Sequence, residues 1–75
     1  ILNNMFIRIK SMTGDCRYKV SSISSFSVDG RSAVTGWWYI TITMGKTEKK
    51  FAWEKEKEMR NYEAYLDSVL NVKEI

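Results

Sequence analysis

Residues 37–54 read WWYITITMGKTEKKFAWE, and this stretch decides the fold. From Trp37 to Met44 successive side chains fall into two sets, the period of a β-strand. Trp38, Ile40, Ile42 and Met44 share one face, while Trp37, Tyr39, Thr41 and Thr43 share the other. Gly45-Lys46 reads as a two-residue loop with glycine first, the type II′ pattern that joins antiparallel neighbours. That loop sets the register: Met44 falls opposite Thr47, Ile42 opposite Lys49, Ile40 opposite Phe51 and Trp38 opposite Trp53. Turn chemistry and hydrophobic pattern are independent signals. Both put Trp38, Ile40, Phe51 and Trp53 on one side.

Downstream, charge alternates through Glu54–Glu58 and the period then lengthens. Met59, Tyr62, Leu66, Val69 and Leu70 follow the three-and-four spacing of a helix with one apolar face, predicted over about residues 56–71. Glu54, Glu56 and Glu58 lie where acidic groups favour the N-terminal dipole. Asn71 suits a left-handed C-cap, with Val72–Ile75 as a short tail. The helix is expected to cover the Trp38/Trp53 face of the sheet.

Upstream, Met5, Ile7 and Ile9 alternate with Arg8 and Lys10, a half-buried strand over about 5–10. Phe6 interrupts its polar face. Thr13-Gly14-Asp15 supplies turn chemistry, and Tyr18 and Val20 open a second strand, over about 18–28. Within it Val20, Ile23 and Phe26 are three apart, separated by the pairs Ser21-Ser22 and Ser24-Ser25. A flat strand would scatter these side chains over both faces, so a bulge, a bend or one 3₁₀ turn is expected there. Asp29-Gly30 is a hairpin signal, and Gly36 marks a second break before the strands at 37–44 and 47–53. The reading is an α+β domain over 1–75, an antiparallel three- to four-stranded meander sheet packed on one C-terminal amphipathic helix.

Seventy-five residues lie near the lower end of what folds alone, and three Trp, four Tyr and three Phe enlarge the small core. No apolar run approaches the roughly 18–20 residues that span a bilayer, so no membrane partner is expected. Arg8 and Lys10 interrupt residues 1–10, which argues against a secretory leader. Cys16 is the single cysteine and cannot form an internal disulfide, which fits a reducing, cytoplasmic setting. There is no histidine, no clustered metal-ligand set and no glycine-rich phosphate loop. The chain is therefore expected to be no enzyme and to need neither cofactor nor metal.

What remains is binding. Trp37, Tyr39, Thr41 and Lys50 fall on the face away from the helix, and aromatics so placed suit a protein partner or a homo-oligomer. The alternative is a single-stranded nucleic-acid binder, with bases stacked on the same aromatics and phosphates held by Arg31, Lys49 and Lys50. A third arrangement has Phe6 and the N-terminal segment folded over Trp37 and Tyr39 as a second small core. The net charge of +3 permits contact with an anionic partner without requiring it. Glutamates lie among the lysines from Lys46 to Lys57, and strand lysines also guard against edge-to-edge aggregation.

The stretch Tyr39–Thr47, with Phe51, Trp53 and the Met59–Leu70 helix, resembles the closing half of small bacterial pleckstrin-homology-like domains. Four strands followed by a helix is also similar to a coactivator family of single-strand DNA binders, whose basic sheet-face pattern this chain does not repeat. Neither resemblance assigns a role to a residue.

Overall fold

The computed structural model describes residues 5–70, and the expected Asn71 cap and Val72–Ile75 tail lie outside them. It contains five antiparallel strands in two sheets, packed against one C-terminal helix. The elements are β1 (Phe6–Ser11), β2 (Gly14–Lys19), a 3₁₀ turn (Val20–Ser22), β3 (Ser25–Arg31), β4 (Trp38–Met44), β5 (Thr47–Trp53) and α1 (Glu56–Leu70). β1 and β2 form one hairpin, and β3-β4-β5 form a three-stranded sheet in that order.

The β4–β5 register agrees with the sequence reading pair by pair, from Met44 opposite Thr47 to Trp38 opposite Trp53. Gly45 adopts a φ of 62°, and no non-glycine residue described has a positive φ. A positive φ at the first loop position alone is the type II′ arrangement. A Cβ at Gly45 would meet no atom within 4 Å, so backbone conformation rather than space calls for glycine here.

Two expectations are corrected. Asp29-Gly30 does not turn the chain, because β3 continues past it until Arg31 lies opposite Trp38. Asp29 is the extra residue of a β-bulge, Gly30 pairs with Tyr39, and Gly30's φ of 83° supplies the left-handed geometry such a bulge accepts. The reversal comes later and is organised by Ser32. Its Oγ accepts from the backbone N–H groups of Val34 and Thr35, while its own N–H donates to the Trp37 carbonyl at 2.9 Å. The expected strand over 18–28 is likewise two strands. One 3₁₀ turn, closed by Ile23 N–H donating to the Val20 carbonyl at 3.1 Å, redirects the chain between the sheets. That turn resolves the three-residue spacing, since Val20 and Ile23 both reach the core.

All apolar faces meet in one cluster. Ile7 and Ile9 from β1, Ile40 and Ile42 from β4, Phe51 and Trp53 from β5, and Met59, Leu66 and Leu70 from α1 are buried together. The helix packs on β4 and β5, as its three-and-four pattern requires. Phe6 does not cover Trp37 and Tyr39; it is 62% exposed. The alternation of β1 sends Ile7 and Ile9 inward, so Phe6, Arg8 and Lys10 face solvent.

The hairpin joins the rest of the fold through side chains as well as the core. Both backbone groups of Lys10 are held this way: its N–H donates to Tyr62 Oη at 3.1 Å, and its carbonyl accepts from Trp53 Nε1 at 3.0 Å. Trp53 and Tyr62 stack with centroids 4.9 Å apart, and Met12 N–H donates to the Ala52 carbonyl at 2.8 Å. These bonds close an edge of β1 that would otherwise present unpaired backbone groups.

Candidate functional site

The outer face of the three-stranded sheet holds most of the residues singled out from sequence. Thr41, at the centre, is 6% exposed, and its hydroxyl donates to the Asp29 carboxylate. The bulge places that carboxylate there. Lys50 lies opposite Thr41 and is exposed; Tyr39 lies opposite Ala52 and is half-buried. Tyr39 Oη and Thr35 Oγ1 are hydrogen-bonded at 3.2 Å, so the phenol is already engaged. Trp37 precedes β4, half-buried, its N–H donating to Thr35 Oγ1 at 3.2 Å.

Tyr39, Lys50, Arg31, Asp29, Gly30 and Ser32 line a depression of about 360 Å³. Within it Arg31 Nε reaches the Gly36 carbonyl at 3.4 Å. Arg31 and Lys50 thus come together with Tyr39. Lys49 does not join them: it pairs with Ile42, so the pleat turns it to the other face.

Sequence reasoning missed a second surface, the outward face of the β1–β2 hairpin. The register sets Phe6 opposite Lys19, Arg8 opposite Arg17 and Lys10 opposite Asp15, and all six side chains are exposed. Four cations and one carboxylate thus share a two-stranded ribbon. The chain has 12 Lys and Arg against 9 Asp and Glu; setting these five aside leaves eight of each sign. The entire net charge of +3 therefore sits on this face. The missed signal was the pairing across the turn, which brings together cations that are spread out along the chain.

Asp15 engages only one of the four directly. Arg8 grips it through Nε–Oδ1 at 3.0 Å and Nη2–Oδ2 at 2.6 Å. The hydrogen bond from Arg8 holds the Asp15 carboxyl below its ordinary range, with the positive charges of Arg8, Lys10 and Arg17 adding to the effect. The pair's contribution to stability is thus present above the unfolded carboxyl value and lost as pH falls through the lowered one. Lys10, Arg17 and Lys19 form no salt bridge among the described residues. Arg8 and Arg17, directly opposite each other, form a like-charge pair that works against the hairpin.

At the Lys10 end of this face lies a cleft of about 390 Å³ between the β1–β2 turn and the start of α1, lined by Lys10, Met12, Trp53, Glu54, Glu58 and Tyr62 among others. No group of His, Cys, Asp or Glu suited to a metal occurs among the described residues, and none of their helices is long and apolar enough to cross a membrane. Comparison with protein-family models, curated proteins and solved structures returns no match.

Proposed function

We propose that this chain is a non-catalytic nucleic-acid-binding protein that grips the phosphate backbone with the outward face of its β1–β2 hairpin. The observation that carries the reading is the concentration of the whole +3 charge on that face, with three of its four cations in no salt bridge among the described residues. Asp15 offsets the facing of Arg8 with Arg17 only in part, and a polyanion lying between the two would relieve what repulsion remains. The absence of histidine from the sequence supports a binding role over a catalytic one. The lone Cys16 is compatible with a reducing, cytoplasmic setting.

The test is a salt titration of oligonucleotide binding followed by fluorescence anisotropy. Three phosphate contacts on a single strand, from Lys10, Arg17 and Lys19, predict a slope of about −2.1 in log K against log salt, at about 0.7 per contact. Affinity should then fall about twentyfold between about 50 and 200 mM salt. Binding that ignores salt, or no binding at the lower concentration, removes the reading.

A second reading, a protein partner or a homo-oligomer at the outer sheet face, is favoured by the depression that joins Tyr39 to Arg31, Lys50 and Asp29. An aromatic wall beside both signs of charge suits a protein side chain. Light scattering on a sizing column distinguishes the two. This reading expects a dimer that is indifferent to oligonucleotide and reverts to a monomer when Trp37 and Tyr39 are both replaced by Ser. A monomeric wild type rules out self-association, and a dimer that survives the double substitution places its interface elsewhere.

A further inference from the structure

The cleft at the Lys10 end of the cationic face has a lining that phosphate binding alone does not account for. Lys10 belongs to both surfaces: it stands in the row of hairpin cations and also lines the cleft. A backbone tracked by Lys19, Arg17 and Arg8 therefore arrives at the mouth of the cleft. Beyond Lys10 the walls change character. The half-buried Tyr62, backed by the buried Trp53 on which it stacks, and the 53%-exposed Met12 supply aromatic and thioether surface, and Glu54 and Glu58 supply carboxylates. Neither glutamate forms a salt bridge among the described residues.

Those carboxylates would repel a phosphate, but as ionised groups they only accept hydrogen bonds. Their natural partner is an N–H donor carried on a flat, apolar body. An unpaired nucleobase with an exocyclic amino group answers that description, and carboxylates accept from cytosine N4 in known base recognition. Thymine presents carbonyl oxygen where cytosine presents the amino group. The volume of about 390 Å³ lies within the usual range for small-molecule sites, and such sites are mostly apolar with a few placed polar groups. In a duplex the amino group is paired and the base stacked, so an intact duplex cannot fill the cleft. At the far end of the face Phe6 stands exposed opposite Lys19, four residues or about 13 Å along the strand from Lys10. It offers a second surface on which an unpaired base can stack.

We infer that the cleft formed by Met12, Trp53, Tyr62, Glu54 and Glu58 receives one unpaired amino-bearing base, so that the protein prefers single-stranded nucleic acid to duplex and, between the pyrimidines, cytosine to thymine. The inference rests on the proposed nucleic-acid reading and adds to it which base and which strandedness are selected.

The experiment measures binding of three labelled probes by anisotropy at about 50 mM salt and neutral pH. The probes are an oligo-deoxycytidylate, an oligo-deoxythymidylate of equal length, and the deoxycytidylate annealed to its complement. Cytidylate is expected to bind about tenfold more tightly than thymidylate, and more tightly than the duplex. Glu54→Gln with Glu58→Gln, both at exposed positions, should bring the two single strands within about twofold of each other, chiefly by raising thymidylate affinity as the repulsion is removed. Equal wild-type affinity for the two single strands overturns the inference. So does duplex binding at least as tight as cytidylate, or a tenfold preference that survives the double substitution. In each of those cases salt-dependent binding leaves the backbone reading standing, whereas failure to bind any probe sinks both.

Discussion

Ile40→Ala is expected to lower the unfolding free energy by about 2–5 kcal/mol, enough to leave much of the protein unfolded at room temperature. Ile40 sits on the central strand β4, fully buried, between Val28 on β3 and Phe51 on β5. Truncation removes apolar contacts with both neighbours and opens a void beneath the helix. Neither sheet layer can collapse into that void without breaking a ladder. Domains of this length start with little to lose, because they bury only about 60% of their unfolded surface. Urea unfolding followed by tryptophan fluorescence gives the answer, with Ile40→Val as a graded control expected to cost about 0.5–1.5 kcal/mol. A cost below about 1 kcal/mol for alanine would mean that β4 is not the centre of the core.

The second large effect separates binding from folding. Replacing both Arg17 and Lys19 with Glu should weaken oligonucleotide binding at least a hundredfold at low salt. Two charged contacts of about 1.5 kcal/mol each amount to about 3 kcal/mol, and every 1.4 kcal/mol is tenfold. The salt slope should shrink by about 1.4, the share of two single-strand contacts. Stability should hold or rise, because the substitution places a carboxylate opposite Arg8 where a like charge stood. Both side chains are exposed, so no core contact is lost. Unchanged affinity in a folded double variant would remove the hairpin face from the binding surface.

How far the sequence is legible depends on how local the deciding physics is. The β4–β5 hairpin could be read residue by residue because its two-residue loop and its hydrophobic pattern agree. Asp29-Gly30 could not, because a bulge and a turn both welcome glycine with positive φ, and the choice between them lies with Ser32. The spacing of Val20, Ile23 and Phe26 announced a break. Nothing local in it says that the break separates two sheets, since that depends on what β2 and β3 find to pair with.

The candidate sites follow the same rule. The faces of Tyr39, Thr41 and Lys50 follow from strand period. The burial of Thr41 under Asp29 and the engagement of the Tyr39 hydroxyl by Thr35 depend on the bulge and the following loop. The cationic face was written in plain alternation as Arg8, Lys10, Arg17 and Lys19. It becomes visible only when charges are counted across the hairpin.

The closure of β1's edge by Trp53 and Tyr62 also has a meaning in time. Each of the three ladders joins strands that follow one another in the chain, so each forms by closing a short loop. The bond from Lys10 to Trp53 spans 43 residues and ties β1 to β5, while the bond to Tyr62 spans 52 and can form only once α1 is in place. Docking of the first hairpin is therefore expected to come late in folding, and its undocking is expected to be measurable as an opening of its own. The amide proton of Lys10, bonded to a phenol rather than to a strand, reports on that opening by its exchange with solvent. Slower or faster exchange there than in β4 would give the element that carries the positive charge its own clock, separate from that of the domain on which it rests.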